Sequence, residues 1–255
     1  MRKFFLAALL LSTVYGFSQK TLYGVALVLP KSGQAHAFEA AWKTHLTKYY
    51  NGDSKRAVYE IVTGDNTGTY QLIEGPFAYA DMDKEMPSAK VRSQNFFSTV
   101  SPKLEVDKEG YTYRWIDTLS YNYKDVQATK YAQTNYNVKP GKMADLLKEI
   151  RRAVLINEQI KSPVSYTGYA MMFAGSKQQF VVRSALKEGF KQLETNFFPG
   201  NTEAFKAAYV KTYGQEAWDK RSGGSIYEYV DSFDQFLIKY RKDLSSTVTN
   251  ATATK

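Results

Sequence analysis

Apolar residues recur along the chain at two spacings, which separate the predicted helices from the predicted strands. Between residues 143 and 154, and again between 35 and 49, apolar residues stand three or four positions apart. This spacing predicts two helices that each bury one face. A further helix is expected over residues 201–220, after a capping Asn and an acidic first turn. Shorter apolar runs, bounded by Gly, Pro, Asn or Asp, predict strands over residues 22–29, 58–63, 70–73, 131–138, 166–173 and 180–183.

Two ten-residue segments, 110–119 and 224–233, align without gaps and share Gly, Tyr and Asp at the same places. Each is expected to be the closing strand of a structural repeat. The elements upstream of the two segments follow in the same order at a nearby offset, which indicates an internal duplication. The sequence therefore predicts one repeat over residues 19–126 and a second over residues 127–243, each with the order strand, helix, strand, strand, helix, strand.

This βαββαβ order predicts an antiparallel sheet with both helices on one face. The other face carries aromatic residues and needs a partner, which the second repeat can supply. The arrangement resembles the dimeric α/β-barrel branch of the ferredoxin-like superfold, without matching a specific family by motif. The resemblance implies an α+β fold in which two tandem ferredoxin-like units pack sheet to sheet as an intrachain α/β barrel. It also covers stress-response barrels, cofactor-free monooxygenases and haem proteins, so the fold leaves the function open.

The two ends of the chain carry signals of their own. Residues 1–18 begin with Met1, Arg2 and Lys3, continue with a short apolar stretch and end in small residues, as a secretory signal peptide does. We expect cleavage near residues 16–18 and a periplasmic or secreted protein from a bacterium. The mature chain has no later apolar segment that could act as a stable membrane anchor. Residues 244–255 are rich in Ser, Thr, Asn and Ala, which predicts a disordered tail.

Composition narrows the class of protein. The chain has no cysteine, 20 Tyr and 15 Phe, so its stability has to come from a buried core and not from disulfides. Its net charge of +9 is spread over scattered Lys and Arg residues, without the basic runs and interleaved aromatics of a nucleic-acid interface. We therefore expect no nucleic-acid partner, and a monomer or a weak homo-oligomer.

A first set of candidate ligand-binding residues is aromatic. Tyr113, Trp115, Tyr227 and Tyr229 lie on the two predicted closing strands, where they could line a pocket between the sheets while Arg183 holds an acidic group of the ligand. The alternative is that these rings only fill the core, as strand aromatics commonly do. Arg114 is expected on the opposite face of its strand from its two aromatic neighbours.

A second set of candidates is acidic. Asp117 and Asp231 occupy equivalent places in the two aligned segments. Across a pseudo-twofold axis they could approach each other and perturb each other's pKa. The alternative is that each caps the turn that follows its strand, beside Thr118 or Ser232.

No catalytic signature is present. The chain lacks a nucleophile elbow, a zincin motif, a phosphate-binding loop and cysteine, so we assign no catalytic residue. His36 and His45 stand nine residues apart, which places them on opposite faces of one helix and excludes a shared metal ion. Chlorite-dismutase-like proteins carry an axial histidine in their second repeat, and residues 127–243 contain no histidine. We expect no metal and no cofactor, and a packed role for His45.

These observations favour a non-enzymatic binding module for a small apolar or aromatic ligand or for a partner protein. The alternative is a cofactor-independent monooxygenase-like or haem-handling enzyme of the dimeric α/β-barrel type. An interaction protein that uses its basic surface is a third hypothesis.

Overall fold

A computed structural model describes residues 20–50, 55–84, 87–105, 110–124, 128–172, 177–195, 203–224 and 226–246. The strands of the first unit are β1 (Leu22–Val28), β2 (Arg56–Ile61), β3 (Tyr70–Phe77) and β4 (Gly110–Trp115), and those of the second are β5 (Lys130–Val138), β6 (Tyr166–Met172), β7 (Gln179–Ala185) and β8 (Val230–Tyr240). The helices are α1 (Ala35–Tyr49), α2 (Tyr79–Met82), α3 (Pro87–Asn95), α4 (Met143–Gln159), α5 (Gln192–Thr195), α6 (Glu203–Tyr213), α7 (Gln215–Ser222) and α8 (Ile226–Tyr229).

The eight strands form one closed antiparallel barrel in the order β1-β3-β2-β8-β5-β7-β6-β4. Each unit contributes four adjacent strands, β4-β1-β3-β2 from the first and β8-β5-β7-β6 from the second. The units join edge to edge, since β2 pairs with β8 and β4 pairs with β6. The predicted fold, two tandem ferredoxin-like units that form an intrachain α/β barrel, is confirmed.

The helices pack on the outside of this barrel. On α1, Phe38, Trp42 and Leu46 are buried in a cluster with Val28 and Leu72 of the neighbouring strands. Each such side chain contributes roughly 1.5–3 kcal/mol through the apolar surface that it removes from water. Because the outer faces of the strands hold the helices, their alternate residues point into the barrel.

A glycine turn before the first helix of each unit shows which residues of the two units correspond in sequence. Gly33 precedes α1 with φ +73° and Gly141 precedes α4 with φ +76°, and both adopt the left-handed conformation that glycine favours. A third glycine, Gly214 with φ +90°, divides the helix predicted over residues 201–220 into α6 and α7.

None of the helices in the described ranges has the length and apolar character that crossing a bilayer requires.

The C-terminal segment departs from the sequence-based prediction. Leu244, Ser245 and Ser246 are buried, so the tail predicted to be disordered from residue 244 is ordered at its start. Trp42 donates its Nε1 hydrogen to the Leu244 carbonyl at 2.7 Å, and the Val58 amide donates to Ser245 Oγ at 2.9 Å. These long-range hydrogen bonds hold the segment in place, although its polar composition favours disorder. Residues 247–255 and the predicted signal peptide lie outside the described residues.

Candidate functional site

The interior of the barrel holds a cavity of about 250 Å³. All eight strands contribute inward-facing residues to its wall, and Asn66 from the β2–β3 turn adds to the rim. Most of the wall is aromatic or apolar, with a group of amide side chains and one guanidinium. The lining residues are Tyr23, Val25, Leu27, Ala57, Tyr59, Ile61, Asn66, Gln71, Ile73, Tyr111, Tyr113, Gln133, Asn135, Tyr169, Gln179, Val181, Arg183, Asp234 and Phe236.

Arg183 on β7 is the cationic group of this wall. Its Nε donates a hydrogen bond to Gln133 Oε1 at 2.7 Å, and its Nη2 donates to Gln71 Oε1 at 2.8 Å. The guanidinium carbon lies 4.9 Å from the ring centroid of Tyr59 and 5.7 Å from that of Tyr169. Cation–π contact and two hydrogen bonds therefore fix the plane of the guanidinium.

The two glutamines that hold Arg183 come from different units. Gln71 on β3 is 2% exposed and Gln133 on β5 is 4% exposed, so both amides are inside the protein. Among the described residues, the cavity wall contains one carboxylate, that of Asp234, and no ion pair joins it to Arg183. Asp234 is exposed, which places it at the rim of the cavity. The positive charge of Arg183 is thus held by neutral partners.

Tyrosine side chains surround the guanidinium. Burial raises the pKa of Tyr23 to about 12, with the neighbouring Tyr169 adding to the shift and Arg183 opposing it. Burial also raises the pKa of Tyr59 well above its ordinary value and raises the pKa of Tyr131, against the opposing charge of Arg183. The cavity therefore offers neutral phenol groups at physiological pH.

Two of the predicted ligand-binding residues, Tyr113 and Arg183, lie in the cavity wall. The Tyr113 hydroxyl donates to Gln179 Oε1 at 2.7 Å, and Gln179 Nε2 donates to Asn137 Oδ1 at 3.0 Å. Arg114 projects outward instead, where its Nη2 donates to the Tyr79 hydroxyl at 3.1 Å. This placement agrees with the strand alternation that we expected.

Trp115 and Asp117, at the end of β4, do not line the barrel cavity, and Asp117 lines a separate surface hollow. The Trp115 indole donates to Ser120 Oγ at 3.0 Å, and its ring lies 5.3 Å from that of Tyr123. The Tyr123 hydroxyl donates to Asp117 Oδ1 at 2.6 Å. Burial and this carboxylate raise the pKa of Tyr123. Asp117 is the first residue of the 3-10 turn Asp117–Leu119, but no side chain caps that turn and the Asp117 carboxylate accepts from Tyr123 instead. The turn-capping role considered for Asp117 is therefore wrong.

The second aligned segment does not form the strand that we predicted. Tyr227 and Tyr229 lie on the helical turn α8, and the 57% exposed Tyr227 is outside the barrel. Asp231 is exposed on the second residue of β8. The sequence match had placed the closing strand too early, because Gly224 with φ +91° begins a helical turn.

Strand register gives the correct equivalence between the units. The turn glycines match Tyr23 on β1 with Tyr131 on β5, and these residues face Tyr113 and Ile238 respectively. The counterpart of Tyr113 is therefore Ile238 and not Tyr227. Asp117 follows β4 whereas Asp231 stands near the start of β8, so these two carboxylates do not occupy equivalent places.

Sequence reasoning missed the glutamines of the cavity and the tyrosines against Arg183. Gln71, Gln133 and Tyr59 each lie on a strand at an inward position, two residues away from another lining residue on the same strand. That alternation is visible in the sequence, but it does not show which of the two faces is enclosed.

The histidines do not fit a haem or metal site. His45 lies on the buried face of α1 and is 2% exposed; its Nδ1 is 2.7 Å from Asn95 Oδ1, and burial lowers its pKa. His36 is exposed on α1, and neither residue lines the barrel cavity. No group of three or more His, Cys, Asp or Glu residues in the described part of the chain could hold a metal ion. The packed role expected for His45 is confirmed.

No protein-family model matches the chain, and no curated protein matches it in sequence. Solved structures do match. A candidate monooxygenase from Fusobacterium nucleatum subsp. nucleatum superposes with a TM-score of 0.58 at 11% identity, over 89% of this chain and 94% of that one. An anthrone oxidase-like protein gives 0.53 at 12% identity, over 87% and 92%. A mutant chlorite dismutase from Candidatus Nitrospira defluvii gives 0.52 at 8%, over 88% and 93%.

These similarities extend over nearly the whole of each chain, but the identities are too low to carry an activity from one protein to another. They agree with the strand order, in which two four-stranded units close one barrel. The chain has the fold of the dimeric α/β-barrel superfamily, formed by two ferredoxin-like units in one polypeptide.

Proposed function

We propose that the barrel interior binds a small aromatic molecule and that Arg183 anchors its polar group. The observation that carries this proposal is an open cavity of about 250 Å³ whose aromatic and apolar wall contains a guanidinium held by two glutamines. Filled barrels pack their interior with side chains. An unfilled interior with a few convergent polar groups is typical of a ligand site.

The volume limits the size of the ligand. An apolar cavity of about 150 Å³ is enough for benzene, and drug-sized ligands occupy pockets of roughly 300–1,000 Å³. A cavity of about 250 Å³ therefore suits one substituted ring or two small fused rings. Haem is much larger than this space.

Binding is favoured over catalysis by the chemistry of the wall. The lining has no histidine, and its one carboxylate among the described residues, Asp234, is at the exposed rim. A general base inside the cavity would have to be a tyrosine, and burial raises the pKa of Tyr23 and Tyr59. Such groups are poor bases near neutral pH.

Fluorine NMR titration with 4-fluorotoluene tests this proposal. We expect saturable binding to the wild-type protein and a loss of affinity of about tenfold or more in Ala57→Leu, which fills part of the cavity. The matched control is Ala132→Leu on β5, whose neighbour Gln133 faces the cavity, so that residue 132 faces outward. Equal binding by both variants would contradict a ligand site inside the barrel.

A second candidate function is oxygenation of the bound aromatic molecule without a cofactor. It is favoured by the likeness to a candidate monooxygenase and to an anthrone oxidase-like protein. In such a reaction an activated methylene and O₂ give a carbonyl and water, and the substrate supplies the electrons. An oxygen electrode with 2-indanone, a two-ring ketone with an activated methylene, tests it: uptake that falls in Ala57→Leu supports oxygenation, and uptake no faster than the buffer blank rejects it.

We also propose that the protein is exported, on the basis of the basic and apolar residues at the start of the chain. Expression in a bacterial host followed by fractionation and N-terminal sequencing tests this. A mature N-terminus close to residue 17–19 in the periplasm or medium supports export, whereas an intact Met1 in the cytoplasm contradicts it.

A further inference from the structure

We infer that the ligand is a small aromatic carboxylate, selected because the inner cavity presents hydrogen-bond donors, and that Gln71 and Gln133 are the positioning residues that impose this polarity. The inference rests on the proposed function and adds the chemical class of the ligand. It follows from the direction of the hydrogen bonds around Arg183.

A guanidinium can donate hydrogen bonds but cannot accept them. Its Nε and Nη2 bind Oε1 of Gln133 and Oε1 of Gln71, which settles the orientation of both amides. Each glutamine has to turn its oxygen toward Arg183 and its NH₂ group away from it. The usual ambiguity between the O and N atoms of an amide is therefore absent at these two residues.

The next inward residue on β5, Asn135, has its amide group oriented in the same way, with the oxygen toward a donor and the NH₂ group away from it. Gln133 Nε2 donates to Asn135 Oδ1 at 2.8 Å, so Asn135 in turn keeps its NH₂ group for another partner. Within the described part of the chain, no hydrogen bond involves Nη1 of Arg183, Nε2 of Gln71 or Nδ2 of Asn135. All three residues line the cavity, and all three of these groups are donors.

The remaining polar groups reinforce this bias. On the other side of the wall the amide oxygen of Gln179 accepts from Tyr113, and its nitrogen donates to Asn137. The hydroxyl of Tyr23 stays protonated because burial raises its pKa to about 12, so it too can donate. Asp234, the acidic acceptor of the lining, is at the exposed rim.

Charge decides between a neutral acceptor and an anion. The guanidinium of Arg183 is inside the barrel and forms no ion pair with a carboxylate of the described residues. Bringing an anion to it adds charge-assisted hydrogen bonds. A ligand cation beside Arg183 would face like charge and the donor groups of Arg183, Gln71 and Asn135. An aromatic ring with one carboxylate satisfies both the apolar wall and these donors.

Three probes of nearly equal shape test the inference by fluorine NMR at pH 7: 4-fluorobenzoate, neutral 4-fluorobenzamide and cationic 4-fluorobenzamidine. We expect the wild-type protein to bind 4-fluorobenzoate at least about tenfold more tightly than 4-fluorobenzamidine, with 4-fluorobenzamide between them. Equal or tighter binding of 4-fluorobenzamidine overturns the inference. This comparison uses the unaltered protein and does not depend on any variant's folding.

Gln71→Glu tests the positioning role. The substitution is nearly isosteric and gives Arg183 a carboxylate partner, so we expect 4-fluorobenzoate to bind at least about tenfold more weakly and to lose its advantage over 4-fluorobenzamidine. Gln235→Glu is the matched control, because Gln235 is exposed on β8 and is absent from the cavity wall. The same 4-fluorobenzoate affinity in both variants rejects the positioning role of Gln71.

The outcomes separate this inference from the proposed function. If 4-fluorotoluene binds the wild type but the carboxylate probe has no advantage, the cavity is a ligand site of another chemical class. If none of the probes binds, both proposals fail.

Discussion

Residues 116–120, which follow β4, pack directly against Gly168 on β6. The Ile116 amide donates to the Gly168 carbonyl at 3.0 Å, and the Gly168 amide donates to Ser120 Oγ at 3.0 Å. A Cβ at this position would stand 2.8 Å from the Leu119 carbonyl oxygen and 2.9 Å from Cζ of Phe180. Backbone on one side and a buried ring on the other leave no room for a methyl group.

Gly168→Ala is therefore expected to lower the free energy of unfolding by about 1–3 kcal/mol, the usual cost of overpacking. Urea unfolding followed by circular dichroism measures this change. Gly110→Ala on β4 is the control, since no atom lies within 4 Å of its added methyl group, and it should change stability far less. Equal midpoints for the two variants would mean that the crossing chain can move aside.

Arg183 and Tyr113 could be proposed from the sequence, because an arginine and a tyrosine in apolar strands stand out. Gln71 and Gln133 could not, since glutamine on a strand is commonly solvated. Their burial becomes evident only when strands from two units enclose them. The polarity of the cavity is thus a property of contacts between residues distant in sequence.

At the scale of elements, the C-terminal segment after β8 is fixed by charged side chains. Arg241 Nη1 lies 2.7 Å from Glu39 of α1 and 3.0 Å from Glu60 of β2. Its Nε and Nη2 bind both carboxylate oxygens of Asp243 at 3.0 Å. The segment therefore joins the end of the second unit to a helix and a strand of the first.

This cluster makes stability depend on pH in the acid range. The hydrogen bonds from Arg241 hold the pKa of Asp243 at about 2, although burial opposes the shift, whereas an unfolded aspartate titrates near pH 3.9. A depressed native pKa means that the contribution of Asp243 is complete above about pH 4 and is lost as the pH falls toward about 2.

We expect Asp243→Asn to flatten the dependence of the thermal midpoint on pH between about 4 and 2, and to lower the midpoint at neutral pH. Because the Asp243 side chain is 47% exposed, solvent screening should keep the effect at neutral pH to about 1 kcal/mol or less. Asp231→Asn, exposed on β8, should retain the wild-type profile. A wild-type profile in Asp243→Asn would show that Asp243 does not titrate as described.

Element types could be predicted well where periodicity is strong, as in α1 and α4, whose buried faces match the apolar spacing. The closing strand of the second unit was placed wrongly. Residues 224–233 resemble residues 110–119 in composition, but α8 forms in the former and β4 in the latter. Local similarity could not show that β8 has to continue to Tyr240 in order to pair with β2.

At the scale of the whole molecule, the two units share one interior. Arg183 of the second unit bonds to Gln71 of the first, and the ring of Tyr59 lies 5.7 Å from that of Tyr131. Each unit alone would expose its inward face to water. The barrel is therefore expected to unfold as one cooperative body.

Hydrogen exchange with mass spectrometry tests this cooperativity. Gly168→Ala lies in the second unit, yet it should lower the opening free energy of the slowest amides in β3 and β7 by the same amount, within about 0.5 kcal/mol. Gly110→Ala again serves as the control. A decrease confined to β7 would show that the units open independently.

The sequence by itself determined the duplicated βαββαβ order, the helices with one buried face and the need for a partner to cover the aromatic side of each sheet. These properties follow from short-range periodicity, which local sequence encodes. Only the tertiary structure decided that the barrel closes through the β2–β8 and β4–β6 edges and that its centre stays open. Strand register and the enclosure of the interior depend on strands that are far apart in the chain. For the same reason, only the tertiary structure shows that Arg183 contacts two glutamines and no carboxylate of the described residues.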